Sequence, residues 1–424
     1  MSFNLDVAGH QFKGDTAGDF ALAREAEGLL ANPAQPPPQN AKRDAQYNVG
    51  QPIDTNSKGG LILGGINNQV DRDNPDNLGQ QPTDNGVVPN LKWRFSDSNT
   101  RILNGGWVRE QVIQNLPQSH DIVAAQQHLK KGAIREPHWY KVAEWGIVYS
   151  GSVMIGAVGE DGKSQVEKLN YGDNWYFPKG AAHYIQAVDD ENGYLLVFDE
   201  ADLDKIGNFG VDRSVFDKLP TTNPYILNGT VANTNVTVSP DQYLSGNSSF
   251  VHRTFEHPPE VVPGNGSEFR KVDSTNFPIS KTIAATIVTL KPGGLRELHW
   301  HPNAEKWLYF HKGTARAAVF IGSTAARTFD QAAGNTFVAP DNSAFVFAQC
   351  PLQRTICSNL LRRHYIENTS DTEDLAWIEL YKSDRVVDIS LAQWLVLTPP
   401  EIVAQTLKVP VEFVGQLKKE KNRY

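Results

Sequence analysis

Two short stretches of the chain carry residues able to hold a divalent cation. Residues 296 to 307 read Arg-Glu-Leu-His-Trp-His-Pro-Asn-Ala-Glu-Lys-Trp; residues 135 to 145 read Arg-Glu-Pro-His-Trp-Tyr-Lys-Val-Ala-Glu-Trp, the same motif 161 positions earlier. In the later copy His299 and His301 alternate as strand residues do and Glu305 follows after a bend, so two imidazoles and a carboxylate can converge on one face. The earlier copy keeps His138 and Glu144 but has Tyr140 in place of the second histidine. Such ligands leave open positions on a metal for an anion, which is a catalytic layout.

A repeat of this length in a chain of 424 residues predicts two similar domains, each able to bury a core. From Val88 to Lys218, short Val, Ile, Tyr and Trp runs broken by Gly and Asp, such as Gly146 to Val158, predict antiparallel strands. The pattern returns from Phe277 to Tyr381, so the fold class is all-β, with two barrels. Residues 1–85 are polar, with Pro-Pro-Pro at 36 to 38, and read as an arm in which only Asp19 to Ala31 looks helical. The expected order is arm 1–85, first domain 86–220, a Thr-, Asn- and Pro-rich linker 221–249, and second domain 250–424. Ser390 can cap a helix over Leu391 to Leu397, and another helical stretch follows Pro399-Pro400.

Forty basic against 48 acidic residues give a net charge of -8 with no basic stripe, which argues against nucleic acid as a partner and favours a small molecule. No run approaches the roughly 20 apolar residues of a membrane span, and Met1 to His10 lacks a signal-peptide layout. A cytoplasmic protein is expected; sequons at Asn228, Asn235, Asn247, Asn265 and Asn368 leave secretion open. Cys350 and Cys357 are too few for a disulfide framework and lack zinc-site spacing.

The full pattern runs Gly132, His138, Tyr140, Glu144, Gly151, Gly172, Pro178, Gly180, His183, and again Gly293, His299, His301, Glu305, Gly313, Gly334, Pro340. This order resembles the cupin family. Arg-Glu-Leu-His-Trp-His, Trp-Tyr-Phe-Pro and Ile-Ser-Leu-Ala-Gln-Trp-Leu-Val-Leu-Thr-Pro resemble, more narrowly, the bicupin oxalate decarboxylases of bacteria and fungi. The resemblance implies two jelly-roll-like barrels, an Mn(II) site in each, and cleavage of oxalate to formate and carbon dioxide with dioxygen as cofactor. It also implies a homo-trimer or hexamer.

Eleven residues after Gly172 comes His183, but eleven after Gly334 comes Phe345. His364-Tyr-Ile-Glu-Asn368 parallels His183-Tyr-Ile-Gln-Ala187, so residues 345–363 read as an insert and His364 as the fourth ligand beside His299, His301 and Glu305. The insert holds both cysteines and is either a translated intron or a genuine loop over the site.

In the first copy the set is His138, Tyr140, Glu144 and His183, where Tyr140 either retunes the metal or merely packs. A phenol has a reference pKa of about 10, so a tyrosinate ligand would suit Fe(III) better than Mn(II). The resemblance places a proton-donating Glu on a lid after the first barrel, yet Lys205 stands at that position, with Asp202 and Asp204 nearby. Arg135 matches the family's substrate-clamping arginine.

The second copy keeps Arg296 for a carboxylate clamp and Glu379, opposite in alternation to Ile378 and Leu380, for proton transfer. Its first-copy counterpart is Leu196. The expected function is therefore metal-dependent decarboxylation of oxalate or a related small carboxylic acid, centred on the second barrel. The alternatives are a diverged oxidation, isomerisation or cyclisation of a larger metabolite, and a bicupin without catalysis.

Overall fold

The computed structural model describes residues 84–200, 225–232, 242–244, 248–261, 267–321, 325–340 and 364–417. Residues 1–83 of the N-terminal arm with its expected helix, the lid residues Asp202, Asp204 and Lys205, and the insert 345–363 with Cys350 and Cys357 lie outside the described residues.

The all-β expectation is met. Strands pair antiparallel into two seven-stranded and two five-stranded sheets, one of each size to a barrel. In the first barrel the smaller sheet holds Ile134–His138 next to Ala182–Ala187, and the larger holds Glu144–Ser150 between Asn174–Phe177 and Glu191–Phe198. In the second barrel Leu295–Trp300 lies next to His364–Asn368, and Lys306–Lys312 lies between Asn335–Ala339 and Leu375–Tyr381. Glycine makes the turns that the motif requires: Gly132, Gly151 and Gly172 in the first copy and Gly293, Gly313 and Gly334 in the second all have positive φ, from 65° to 89°.

Alternation along each strand feeds two different cores. Odd positions Trp145, Ile147, Trp307 and Tyr309 pack in one cluster with Leu195, Val197, Ile378 and Leu380, so this core lies between the larger sheets of the two barrels. Even positions Val148, Leu308 and Phe310 face the separate interiors of their own barrels. Polar links cross the same interface, Trp307 Nε1 donating to Gln111 Oε1 at 2.7 Å and Gln126 Nε2 to Tyr309 Oη at 3.3 Å.

Strand pairing crosses the boundaries expected at 86 and 250. Lys92–Arg94, which precedes the first barrel, pairs with Asn335–Ala339 at the edge of the second; Val251–His252 pairs with Asn174–Phe177 at the edge of the first. Ile226–Leu227, from the expected linker, pairs with Ile134–His138. Each barrel is thus finished by a short strand from before the other or from between them.

The chain then leaves the second barrel through helices Leu391–Leu397, Pro400–Leu407 and Val411–Gly415. Ser390 caps the first, its hydroxyl accepting from Gln393 N at 3.2 Å, as its side chain and position predict. Among the described residues no helix is long and apolar enough to cross a membrane.

Candidate metal centres

Antiparallel pairing sets His138 opposite His183 on neighbouring strands, and their ring centroids lie 4.3 Å apart. Each ring is oriented by its own backbone neighbour: Nδ1 of His138 meets Glu136 O at 2.6 Å, and Nδ1 of His183 meets Ala181 O at 2.9 Å. A carbonyl accepts, so both Nδ1 atoms carry the proton and both Nε2 atoms present lone pairs, as metal-binding histidines do.

Glu144 opens a strand of the larger, facing sheet and points into the same interior. Trp175 Nε1 donates to its Oε1 at 2.9 Å. That indole reaches Glu144 by lying over Gly146, where a Cβ would sit only 2.1 Å from the ring. The other oxygen, Oε2, stands 3.4 Å from His183 Nε2, and both atoms are buried without a hydrogen bond. Ligand atoms of His138, Glu144 and His183 all fall within 4.8 Å of one another. Two imidazole nitrogens and one carboxylate, converged and buried, fit a divalent cation.

Tyr140, expected in the same set, is held elsewhere. Arg135 donates through Nη2 to its phenol oxygen at 2.8 Å, and its ring packs edge-on against His138 and Phe198, with centroids 4.9 Å away in each case. Burial pushes the phenol well above its usual range, against the pull of Arg135. Arg135 is itself fully buried, stacked 3.7 Å over the Tyr225 ring and paired with Glu136.

The second barrel departs from its expected ligand set. Glu305 is turned away from the histidines: its two oxygens accept from the backbone N–H groups of His120, at 3.3 Å, and Asp121, at 3.0 Å, in a loop of the first barrel. The place equivalent to Glu144 belongs to Lys306. Its Nζ lies 3.1 Å from His299 Nε2 and 3.2 Å from Glu379 Oε1, with all three side chains buried. His299 is oriented as His138 is, Nδ1 meeting Glu297 O at 2.7 Å. His301 Nδ1 meets Val387 O at 2.6 Å while its Nε2 lies 3.4 Å from the Tyr381 hydroxyl. His364 pairs with His299 in backbone register, as His183 does with His138; its side chain lies outside the described residues.

Glu379 does face the interior, as its alternation predicts, but it is fully engaged. Trp377 Nε1 donates to its Oε1 at 3.0 Å and the Tyr381 hydroxyl to its Oε2 at 2.6 Å. Burial would raise its carboxyl, but the Lys306 and Arg296 cations outweigh burial and hold it at about 2. Burial pushes Lys306 down to about 8 despite Glu379 beside it, and burial with the Lys306 charge pushes His301 down to about 4. Arg296, expected as a substrate clamp, binds Asp388 Oδ2 at 2.6 Å.

Lys306 and Asp388 are the site residues missed in sequence. Lys306 had a readable signal: Trp145 follows Glu144, and the matching Trp307 follows Lys306, not Glu305. Counting from the tryptophan that anchors the strand, rather than from the histidines, identifies the interior residue. Asp388 had none, because it reaches Arg296 from 92 residues away.

Residues 95–232 and 253–349 match the family described as Cupin. A probable oxalate decarboxylase of Arthroderma benhamiae is 52% identical over 392 residues, covering 88% of this chain and 92% of that one. Oxalate decarboxylase OxdC of Bacillus subtilis is 36% identical over 400 residues, covering 89% and 97%. A structure of Bacillus subtilis oxalate decarboxylase at pH 4.6 superposes with a TM-score of 0.74 at 35% identity, covering 89% of this chain and 97% of that one. Another, studied for the Mn(II) centres of that enzyme, gives 0.73 at 34%, covering 88% and 98%. With two cupin regions, paired strand for strand and matched over most of their length by these relatives, the chain belongs to the bicupin oxalate decarboxylase family of the cupin superfamily.

Proposed function

We propose that the protein is a carboxy-lyase acting on oxalate or a close small carboxylic acid, with its metal centre in the first barrel. The observation that carries this reading is the convergence of His138, His183 and Glu144 within 4.8 Å. Hydrogen oxalate would give formate and carbon dioxide, one C–C bond breaking and one C–H bond forming with no net oxidation. Mn(II) or iron bound there supplies Lewis-acid polarisation of a carboxylate and, with dioxygen as cofactor, one-electron chemistry.

The surrounding residues bind and orient. Arg135 offers a planar guanidinium matched to a carboxylate, one phenol away from the ligands. Tyr140, its phenol pushed up by burial, holds that guanidinium in place and keeps a hydroxyl hydrogen for a substrate oxygen. Glu379, by contrast, is held low as a carboxylate and engaged by three donors, a poor carrier for a proton at neutral pH. The same proposal has the protein working in the cytoplasm as a homo-trimer or hexamer, which size measurement and fractionation check.

Formate release from oxalate by Mn-loaded protein tests the reading. Glu144→Gln should abolish it and Glu379→Gln should leave it; the reverse pattern would move the chemistry to the second barrel. One observation favours a second reading: with Tyr140 held by Arg135, two histidines and one carboxylate form the open-sided set of non-haem Fe(II) oxygenases. Dioxygen consumed one-for-one with a larger carboxylic acid, and no formate from oxalate, would select it.

A further inference from the structure

A second metal is expected in the second barrel, and the described side chains there do not fit one. The carboxylate expected as a ligand, Glu305, is bound to two backbone N–H groups of the other barrel. A second buried carboxylate, Glu379, already receives Trp377, Tyr381 and Lys306. The lone pair of His299, oriented for a cation by Glu297 O, points at the Lys306 ammonium 3.1 Å away.

We infer that Lys306 is a built-in replacement for the second metal, so that the second barrel is metal-free and each chain holds one metal, in the first barrel. A cation is still required at this spot, because Glu379 is fully buried and a buried carboxylate needs compensation. The ammonium supplies one positive charge and donors to both His299 and Glu379, on a side chain that needs no loading. A dication would have to displace it or sit against it, and would lose the carboxylate that Glu144 contributes in the first barrel.

Strand geometry explains why the lysine cannot swing out. Trp307 is locked between the barrels, so alternation turns Lys306 inward. Glu305, one residue earlier, then falls at the mouth of the strand, where the neighbouring loop takes it.

The inference concerns the second barrel and stands apart from the chemistry proposed for the first. Its test is metal content per chain in full-length protein reloaded with Mn(II) after chelation, with the electron paramagnetic resonance spectrum as a second readout. About one equivalent and one Mn(II) environment are expected. His138→Ala should remove it, and His299→Ala, checked for folding by circular dichroism, should leave it. Glu305→Asn together with Lys306→Glu, which puts a carboxylate before Trp307 as Glu144 stands before Trp145, should raise the count to about two with a second spectral component. Two equivalents in the wild type, or loss of metal in folded His299→Ala with retention in His138→Ala, would overturn the inference. Should the double variant not fold, the His138→Ala and His299→Ala pair still decides. Failure of the first-barrel reading looks different: no bound metal in the wild type, with one equivalent gained on restoring Glu at 306.

Discussion

Glu144 and Lys306 occupy the same place in the two barrels. Each opens a strand of the larger sheet, each precedes a fully buried tryptophan, and each faces a histidine held by a carbonyl two residues before it. One brings a carboxylate to two imidazoles; the other brings an ammonium to the matching place.

Glu144→Gln keeps the size and the Trp175 hydrogen bond while removing the charge. Mn(II) affinity should fall by at least tenfold to a hundredfold, on the scale of weakening a metal's ligand shell, as calorimetric titration would measure. An unchanged affinity would remove Glu144 from the ligand set.

Glu305→Gln separates ligand from bridge. It should leave metal content untouched, yet weaken the link to His120 N and Asp121 N, at a cost of about 1–2 kcal/mol in urea unfolding. Loss of metal without loss of stability would reverse the assignment.

Tyr140→Phe deprives buried Arg135 of an acceptor, so stability should drop by about 1–3 kcal/mol while metal remains bound. Tyr140→His, which restores the imidazole found at His301, should tighten Mn(II) binding. A visible tyrosinate charge-transfer band in the iron-loaded wild type would contradict the neutral phenol.

Acid should loosen the fold in a defined window. Burial pushes both His252 and His301 down to about 4 from an ordinary 6.5, so between those pH values the unfolded chain binds protons that the folded one refuses. Stability is full above pH 6.5 and falls as pH drops toward 4, by up to about 3 kcal/mol for each histidine. Urea midpoints from pH 7 to 4 should show this, and His252→Gln should flatten part of the slope.

The duplication, the all-β class, the capping Ser390 and the alternation of Glu379 were legible because each rests on local periodicity or a short motif. His364 was legible from its parallel with the His183 segment, and its register opposite His299 agrees. Spacing from His301 picked Glu305, whereas tertiary packing of Trp307 turns Lys306 inward and leaves Glu305 to His120 and Asp121. Arg296 was read as a clamp because Asp388, its partner, is invisible to local reading. The exchange of edge strands was illegible for the same reason: Lys92–Arg94 and Val251–His252 carry no mark of which sheet they complete.

Those two edge strands set the order in which the chain can finish folding. As it emerges during synthesis, Lys92–Arg94 must wait about 240 residues for Asn335–Ala339, while the first barrel stays open at one edge until Val251–His252 arrives. Cutting within residues 221–249 would therefore not release two self-sufficient halves, since each piece would carry away the strand that closes the other.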